Sequence, residues 1–504
     1  MRRPGVAALV VLAAGLGGGA AFLARAARLT EPPNRPTRLF EQVFGHIQRF
    51  GVDSFPESDL YRRASDGLLR QLDDEYAMLL PEGVTAADAA DVGGIGLLLS
   101  TRDGRVMVLG VLSDSPAERT GIARGDQLLE VGGRPVDASR RDLLLAALTG
   151  PVGGTVRLRL RRPGVAPMVT VGLTRERPRS SVVTPLVTVD SGVGYIGVSL
   201  IGPGAAQALE QRLEDLATRR IGRLVLDLRG ASLGRLSEAV AMADLFLDRG
   251  QVVAQVRGRE PQPRRYLDGA VQTDSALHIV VLVDSGTADA GEVVAGALQD
   301  NDRALVVGEP TFGRGLSQET FPLNDRMTIR ISTARWYTPS GRLIQRDSAA
   351  TDTIARRPTA RTNSGRTVSG GGGIVPDLVV RPDSLPGPQQ QLLRAVGGSL
   401  PAYHEALRQA AHEVAAAGSV SESYQPSARD RDRLLAELTE RKLLLPAHVL
   451  EGGAALLDRD LGDEVVRRAL GSEALLRRRA GRDPLVRLAV LRLRRPLLFD
   501  DPNP

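Results

Sequence analysis

The chain has 504 residues, 42% of them hydrophobic, with a formal net charge of +6, 3% aromatic residues and no cysteine. Its length suggests about three domains of ordinary size. The missing cysteines exclude a disulfide framework and a lipidated cysteine. The basic balance comes from arginines mixed with acids, and so few aromatics leave little to stack nucleic-acid bases on. A solvated surface is expected, and no nucleic-acid partner.

Met1-Arg-Arg-Pro supplies a positive flank and Gly5 to Ala24 is an uncharged Ala/Val/Leu/Gly stretch ending at Ala24-Arg-Ala26. This pattern predicts an export signal over 1–28 that is cleaved or kept as an anchor. Either outcome puts the body outside the cytoplasm, in the periplasm or cell envelope, with the membrane touched only through this segment. After prolines at Pro32, Pro33 and Pro36, residues 37–90 read as a helical segment, with Leu39, Phe40, Val43, Phe44 and Ile47 at helix spacing. Residues 91–178 carry Gly93-Gly94-Ile95-Gly96-Leu97, Ser115-Pro-Ala-Glu-Arg-Thr-Gly-Ile122 and Gly125-Asp-Gln-Leu-Leu-Glu-Val-Gly-Gly133, in the order found in PDZ domains. The resemblance implies that the amides of Gly94, Ile95, Gly96 and Leu97 receive a C-terminal carboxylate while the peptide adds to the sheet edge. Arg140 to Leu148 would then line the groove as a helix. Tight hairpins alone would explain single glycines, but not three motifs in order.

Over 179–383 apolar strands alternate with helices at Ala205–Ala217, Arg235–Leu247 and Glu292–Gln299, which predicts an α/β core with a mainly parallel sheet. Residues Arg346 to Gly373, rich in Ser, Thr, Arg and Gly, read as a flexible surface insert, before Ile374-Val-Pro-Asp377. Residues 384–504 are Ala, Leu and Arg rich with helix periodicity and read as a C-terminal helical extension. The fold class is thus α/β and multidomain.

The stretch Val280-Val-Leu-Val-Asp-Ser-Gly-Thr-Ala-Asp289-Ala-Gly-Glu292 to Asp300, then Gly308-Glu-Pro-Thr-Phe-Gly-Arg314-Gly-Leu-Ser-Gln318, resembles the signature of the C-terminal processing, or tail-specific, serine peptidases. Leu72-Asp-Asp-Glu-Tyr76 and Ile374-Val-Pro-Asp377 are similar to that family's segments before the PDZ domain and at the close of the core. The resemblance implies a Ser/Lys dyad, with the serine three residues before the motif's Glu and the lysine in Phe-Gly-Lys-Gly. Those positions hold Asp289 and Arg314, flanked by Asp300 and Gln318. A serine nucleophile needs a neighbouring base, and an arginine stays protonated in proteins. The one lysine of the chain, Lys442, lies in the charged helical tail. A third departure lies in Asp227-Leu-Arg229-Gly-Ala231-Ser-Leu233-Gly234, where the family's Asn and first Gly of the oxyanion loop are replaced by Ala231 and Leu233.

Asp289-Ala-Gly-Glu292 also has capping-box spacing, and a helix cap explains an aspartate without chemistry. A compatible reading makes Asp289 and Arg314 an ion pair that plugs the site. Ser285, Thr287 and Ser317 are turn and cap residues on composition, and His46, His278, His404, His412 and His448 are scattered. No metal site is expected, because His412-Glu413 lacks a second helical histidine, and no cofactor is implied. The leading expectation is an exported pseudopeptidase that binds protein C-terminal tails. The alternatives are residual or rerouted peptidase activity, for instance beside an active paralogue or in a homo-oligomer, and a structural envelope protein.

Overall fold

A computed structural model describes residues 35–495, apart from 73, 75, 82–91, 103, 113–114, 124, 138–143, 145–146, 163–167, 177–181, 233, 260–261, 268, 270–275, 325–326, 347–356 and 382–385. The expected export segment over 1–28 lies outside these residues. Among the described residues no helix is long and apolar enough to cross a membrane. The chain divides after residue 75 into two compact units.

The first unit is a helix pair, α1 (Arg35–Phe50) and α2 (Glu57–Gln71). It is joined by the stacked rings of Phe44 and Tyr61, with centroids 4.2 Å apart. Leu60 and Leu69 are its buried side chains.

The second unit opens on β1 (Met78–Pro81) and a PDZ-type sheet of β2 (Leu97–Arg102), β3 (Arg105–Val111), β4 (Gln127–Val131), β5 (Thr155–Arg161) and β6 (Val169–Thr174), with the short helix α3 (Pro116–Arg119) after β3. The sheet is antiparallel in the order β2-β3-β4-β5-β6. In β5 the sequence Thr-Val-Arg-Leu-Arg-Leu-Arg buries every second residue, as a one-faced sheet requires.

The core follows with β7 (Val187–Asp190), β8 (Val193–Gly197), α4 (Ala205–Thr218), β9 (Arg223–Asp227), α5 (Leu236–Asp244), β10 (Val252–Arg257), β11 (Arg264–Leu267), β12 (His278–Val283), α6 (Ala290–Asp300), β13 (Leu305–Gly308), β14 (Leu316–Asn324), β15 (Met327–Tyr337), β16 (Thr359–Arg361), β17 (Thr367–Ser369) and β18 (Leu378–Val379). One sheet runs β7-β8-β9-β12-β13-β18, antiparallel at β7/β8 and parallel elsewhere. Its central strands are unbroken apolar runs, because both faces are covered. The second sheet, β1-β15-β10-β11 with β14 on β15, is antiparallel throughout. The expectation of a mainly parallel core therefore fails for the core as a whole. Crossover helices follow only the β8-β9-β12-β13 strands, and the long β14-β15 ribbon carries no helix to make it parallel.

Residues 357–373 also depart from expectation, since they form the hairpin β16/β17 pinned to the core. Arg366 donates to Asp302 and Asp377, each at 2.7 Å, and to the Gln299 carbonyl at 3.1 Å.

The C-terminal helices are α7 (Gly387–Val396), α8 (Leu400–Ala417), α9 (Ala428–Glu440), α10 (Ala447–Leu470), α11 (Ser472–Arg482) and α12 (Pro484–Leu493). They serve two cores. Leu392, Tyr403, Leu407 and Leu457 from α7, α8 and α10 share one apolar cluster with Val108, Leu158 and Val171 of the PDZ sheet. Val486, Ala489, Val490 and Leu493 of α12 cover Tyr195, Val225, Val280 and Leu282 on one face of the mixed sheet. Helices α4 to α6 cover the other face through Leu209, Met242 and Leu298.

Candidate active site

The site forms where β12 runs out at the edge of the mixed sheet and the chain turns into α6. The turn is set by Asp284, buried at the strand end, whose Oδ1 accepts from the amides of Gly286 (2.9 Å) and Thr287 (3.0 Å). Thr287 Oγ1 donates to the Leu228 carbonyl at 2.8 Å, so this buried hydroxyl ties two strand ends together. Ser285 is exposed beside it, and Ser317 lies on β14 paired with Ala334.

The turn delivers Asp289 at φ 50° and ψ −117°, a conformation that costs a non-glycine residue strain. Arg314 meets it with a two-pronged contact. Nε donates to Asp289 Oδ1 at 2.6 Å, and Nη2 donates to Oδ2. The side chains are only 5% and 13% exposed. The guanidinium lies 5.7 Å from the ring centroid of Tyr76 and 5.9 Å from that of Phe312. Burial pulls the Arg314 pKa down, but the Asp289 charge and hydrogen bond more than offset this and leave it raised. A group so held cannot take a proton from a nucleophile.

Glu292, fully buried one helical turn on, holds the loop that presents Arg314. Its carboxylate accepts from Thr311 Oγ1, from the amide of Gly313 at 2.7 Å and from that of Arg314 at 2.8 Å. It also accepts from the Asp289 amide at 3.2 Å, the back-reaching half of a capping box. Burial pushes its pKa up to about 7 against the opposing pull of these hydrogen bonds. The Arg314 loop is further fixed by close packing. A Cβ on Gly313 would fall 2.8 Å from Arg346 Cβ and 3.0 Å from the Gly373 nitrogen.

The glycine turn after β9 abuts the start of α6. Gly234, at φ +144°, has no room for a Cβ, which would lie 2.3 Å from the Ile201 carbonyl and 2.8 Å from Ala290 Cβ. Two of the turn's amides are spent inside the fold, Gly230 on Asp284 Oδ1 at 2.9 Å and Ala231 on the Leu228 carbonyl at 3.0 Å. The Ala231 carbonyl accepts from the Ala288 amide at 2.9 Å. Ser232 is buried with its hydroxyl unpartnered among the described residues. Leu233 lies outside the described residues. The turn is anchored from far along the chain: Arg229 donates to Asp227 and, at 2.8 Å, to Asp483, whose carboxylate caps α12.

Two positions named from the sequence stand away from this centre. Asp300 is at the opposite end of α6, about 16 Å from Asp289 at helical rise, where it pairs with Arg342 and accepts from Ser340. Gln318 is exposed on β14. The histidines are dispersed: His46 in α1, His278 at the first residue of β12, His404 against Gly121 in the turn after α3, His412 beside Arg468, and His448 at the start of α10. No group of three or more His, Asp or Glu side chains is gathered for a metal among the described residues. Sequence reasoning missed Tyr76, Thr311, Asp284 and Asp483. The first three lie inside or beside the quoted motifs, whereas nothing local marks Asp483.

In the PDZ sheet, β2 ends the strand order. The Gly94 amide donates to the Glu176 carbonyl at 2.9 Å, so it is not free to receive a carboxylate as expected. The amides of Ile95 and Gly96 have no acceptor among the described residues. Gly96, at φ +80°, presses on Ser115, where a Cβ would lie 2.1 Å from the serine Cβ. The expected groove helix is described only at Leu144, Ala147 and Leu148, with Leu144 and Leu148 buried.

Residues 192–355 match peptidase family S41, and residues 93–173 match a PDZ domain. The chain is 34% identical over 281 residues to a carboxyl-terminal-processing protease of Picosynechococcus sp., covering 54% of this chain and 67% of that one. It is 32% identical over 305 residues to one of Synechocystis sp., covering 58% and 71%. The solved photosystem II D1 C-terminal processing protease superposes with a TM-score of 0.55 at 26% identity, over 70% of this chain and 90% of that one. The PDZ sheet, the S41 core and the ungapped run around Asp289 and Arg314 therefore place this chain in the family of carboxyl-terminal processing proteases.

Proposed function

We propose that this member binds protein C-terminal tails through its PDZ sheet and does not cut them. The observation that carries the reading is the shielded, two-pronged pair of Arg314 with Asp289, standing where the family's base and nucleophile are expected. A carboxylate locked to a guanidinium is neither a nucleophile with a base beside it nor free to leave its partner. The spent amides of Gly230 and Ala231 add to this, because an oxyanion needs donors aimed at it. Tail capture falls to the amides of Ile95 and Gly96, which have no acceptor among the described residues, and to strand addition at β2. In this reading the basic flank and the Gly5–Ala24 segment carry the protein out of the cytoplasm.

The purified chain should leave unstructured substrates with apolar C-termini intact over hours and escape labelling by fluorophosphonate probes. Turnover that survives Asp289→Ala would sink the replaced-dyad argument, and turnover abolished by Ser285→Ala or Ser317→Ala would reveal a relocated nucleophile. The double variant Asp289→Ser with Arg314→Lys restores the family's residue types and should fold without cleaving. Losing one oxyanion donor alone costs ~100-fold or more, so cleavage should need Ala231→Asn and Leu233→Gly as well. Peptides with a free C-terminal carboxylate should bind more tightly than their amidated forms. Equal affinity for both would remove the proposed mode of capture.

A further inference from the structure

We infer that one face of the antiparallel second sheet is a docking surface for an extended acidic segment of a protein partner. Directly paired strand residues share a face, and alternate residues along a strand return to it. Gln255 on β10 is opposite Tyr337 on β15 and Arg265 on β11, so these three side chains stand together. Arg257, two residues on from Gln255, is opposite Arg335 and joins them. On the other side of β15, Leu316 is opposite Arg335, Gln318 opposite Ser332 and Thr320 opposite Arg330. The alternation of β14 therefore carries Arg330 onto the same face, across the register shift between Ser317 and Gln318. Four arginines, Arg257, Arg265, Arg330 and Arg335, thus share one surface.

Among the described residues nothing neutralises this charge. None of the four arginines has an ion pair there, and no described strand residue of the face is acidic, since Glu319, opposite Ile331, stands on the other one. Arg257 and Arg335 are cross-strand neighbours with Cα atoms about 5 Å apart, and like charges so placed cost stability. The Arg257 guanidinium lies over the Tyr337 ring at 4.2 Å and donates to Gln255 Oε1 at 3.1 Å, contacts that fix it without cancelling its charge. Arg330 is half-buried, and burial lowers its pKa with no neighbouring charge to raise it. An anion is the missing partner.

Guanidinium forks suit carboxylates and phosphates alike, and the rest of the face selects carboxylates on a peptide. Its one aromatic ring among the described strand residues, Tyr337, is covered by Arg257, which leaves no platform for a nucleobase. A bilayer surface calls for a broad apolar flank. The face exposes one large apolar side chain, Leu267, at the β11 edge. From Arg330 to Arg335 is about 16 Å along β15, the span of about five extended residues, and acids at alternate positions of such a chain lie about 7 Å apart. The surface starts beside the candidate site, because Leu316 follows Arg314 by two residues. That the acidic segment belongs to the protein whose tail the PDZ sheet captures rests on the proposed function; the charge reading of the face does not.

The test uses the full chain and a fluorescein-labelled peptide of about ten residues, alternating Asp and Ser, with an amidated C-terminus. Its binding then owes nothing to carboxylate capture at Ile95 and Gly96. Anisotropy at low salt should show saturable binding at least about tenfold tighter than that of the Asn/Ser analogue. Arg330→Gln should weaken it about fivefold, and Arg257→Gln, Arg265→Gln or Arg335→Gln about threefold each, the scale of exposed charge pairs. Arg134→Gln, at an exposed arginine of the PDZ domain, should leave it unchanged. Arg335→Glu turns the like pair with Arg257 into an opposite one, so it should abolish binding while raising the unfolding midpoint, which separates lost docking from misfolding. Equal weakening by Arg134→Gln would show a response to net charge alone and overturn the inference. So would an unaltered affinity when Arg330→Gln and Arg335→Gln are combined. Phosphatidylglycerol vesicles or single-stranded RNA bound through the same arginines, with the Asp/Ser peptide left unbound, would assign the face to phosphates and overturn it equally. Equal affinity for free and amidated tails would remove the PDZ reading and leave this result standing.

Discussion

Taking away the Asp289 carboxylate leaves the Arg314 guanidinium, with 5% of its side chain exposed, without its two-pronged partner. Asp289→Ala should therefore destabilise by about 3 to 5 kcal/mol in denaturant unfolding, the usual cost of one member of a buried pair. Asp289→Gly loses the same charge but relieves the strain of φ 50°, so it should be about 1 kcal/mol milder. Equal losses in the two variants would show that the backbone strain is not held by the fold. The pair was legible in the sequence because its two positions sit in an ungapped motif, where spacing fixes the place in the fold. The groups that flank it and brace the neighbouring turn were not. Tyr76 comes from the segment before the PDZ domain, and Asp483 reaches the β9 turn from 254 residues further along than its partner Arg229. Such contacts leave no periodic or local trace.

The hairpin β16/β17 shows why composition misleads at the level of elements. Its Ser, Thr, Arg and Gly content predicts a mobile insert, because it has little to bury. Arg366 supplies what burial does not, bridging Asp302 and Asp377 while bonding the last turn of α6. Arg366→Ala leaves Asp377, largely buried at the edge of β13, without its guanidinium and should cost about 3 kcal/mol. Limited proteolysis should then cut within 359–369 well before the core opens; unchanged protection would mean that Val368, buried at 5% exposure, holds the hairpin alone. The antiparallel second sheet escaped the sequence for a related reason. Alternating strands and helices announce the parallel crossovers, whereas the pairing of β1 and β10 with β15 joins distant segments that share no local pattern. The PDZ strands were readable because glycine turns and apolar alternation recur at short range.

Across the second unit, the buried Glu292 and the half-buried His404 pull stability in opposite directions with pH. Burial raises Glu292 from 4.5 to about 7. The folded protein then holds this proton more tightly than the unfolded chain, so the contribution is full below pH 4.5 and is lost as pH rises through 7. His404 packs its ring against Gly121, where a Cβ would lie 2.0 Å from Nε2. Burial, then the charges of Arg408, Arg162 and Arg479, lower it from 6.5 to about 4 against the opposite pull of Glu464. Its contribution is full above pH 6.5 and is lost as pH falls through 4. Each shift corresponds to about 3 kcal/mol at most. Between pH 4.5 and 6.5 the two slopes oppose each other, and single variants separate them. The destabilisation caused by Glu292→Gln should be greatest near pH 4.5 and shrink by up to about 3 kcal/mol by pH 7, because only the wild type loses the protonated carboxyl's advantage over that range. The destabilisation caused by His404→Asn should be greatest above pH 6.5 and shrink toward pH 4, because there the wild type must charge its half-buried ring. Parallel stability curves for wild type and both variants would show that neither group is held in the protonation state its surroundings favour. A slope that changes only in His404→Asn would confine the effect to the contact between α8 and the turn after α3. It would leave Glu292 ionised throughout, as its amide and Thr311 donors favour.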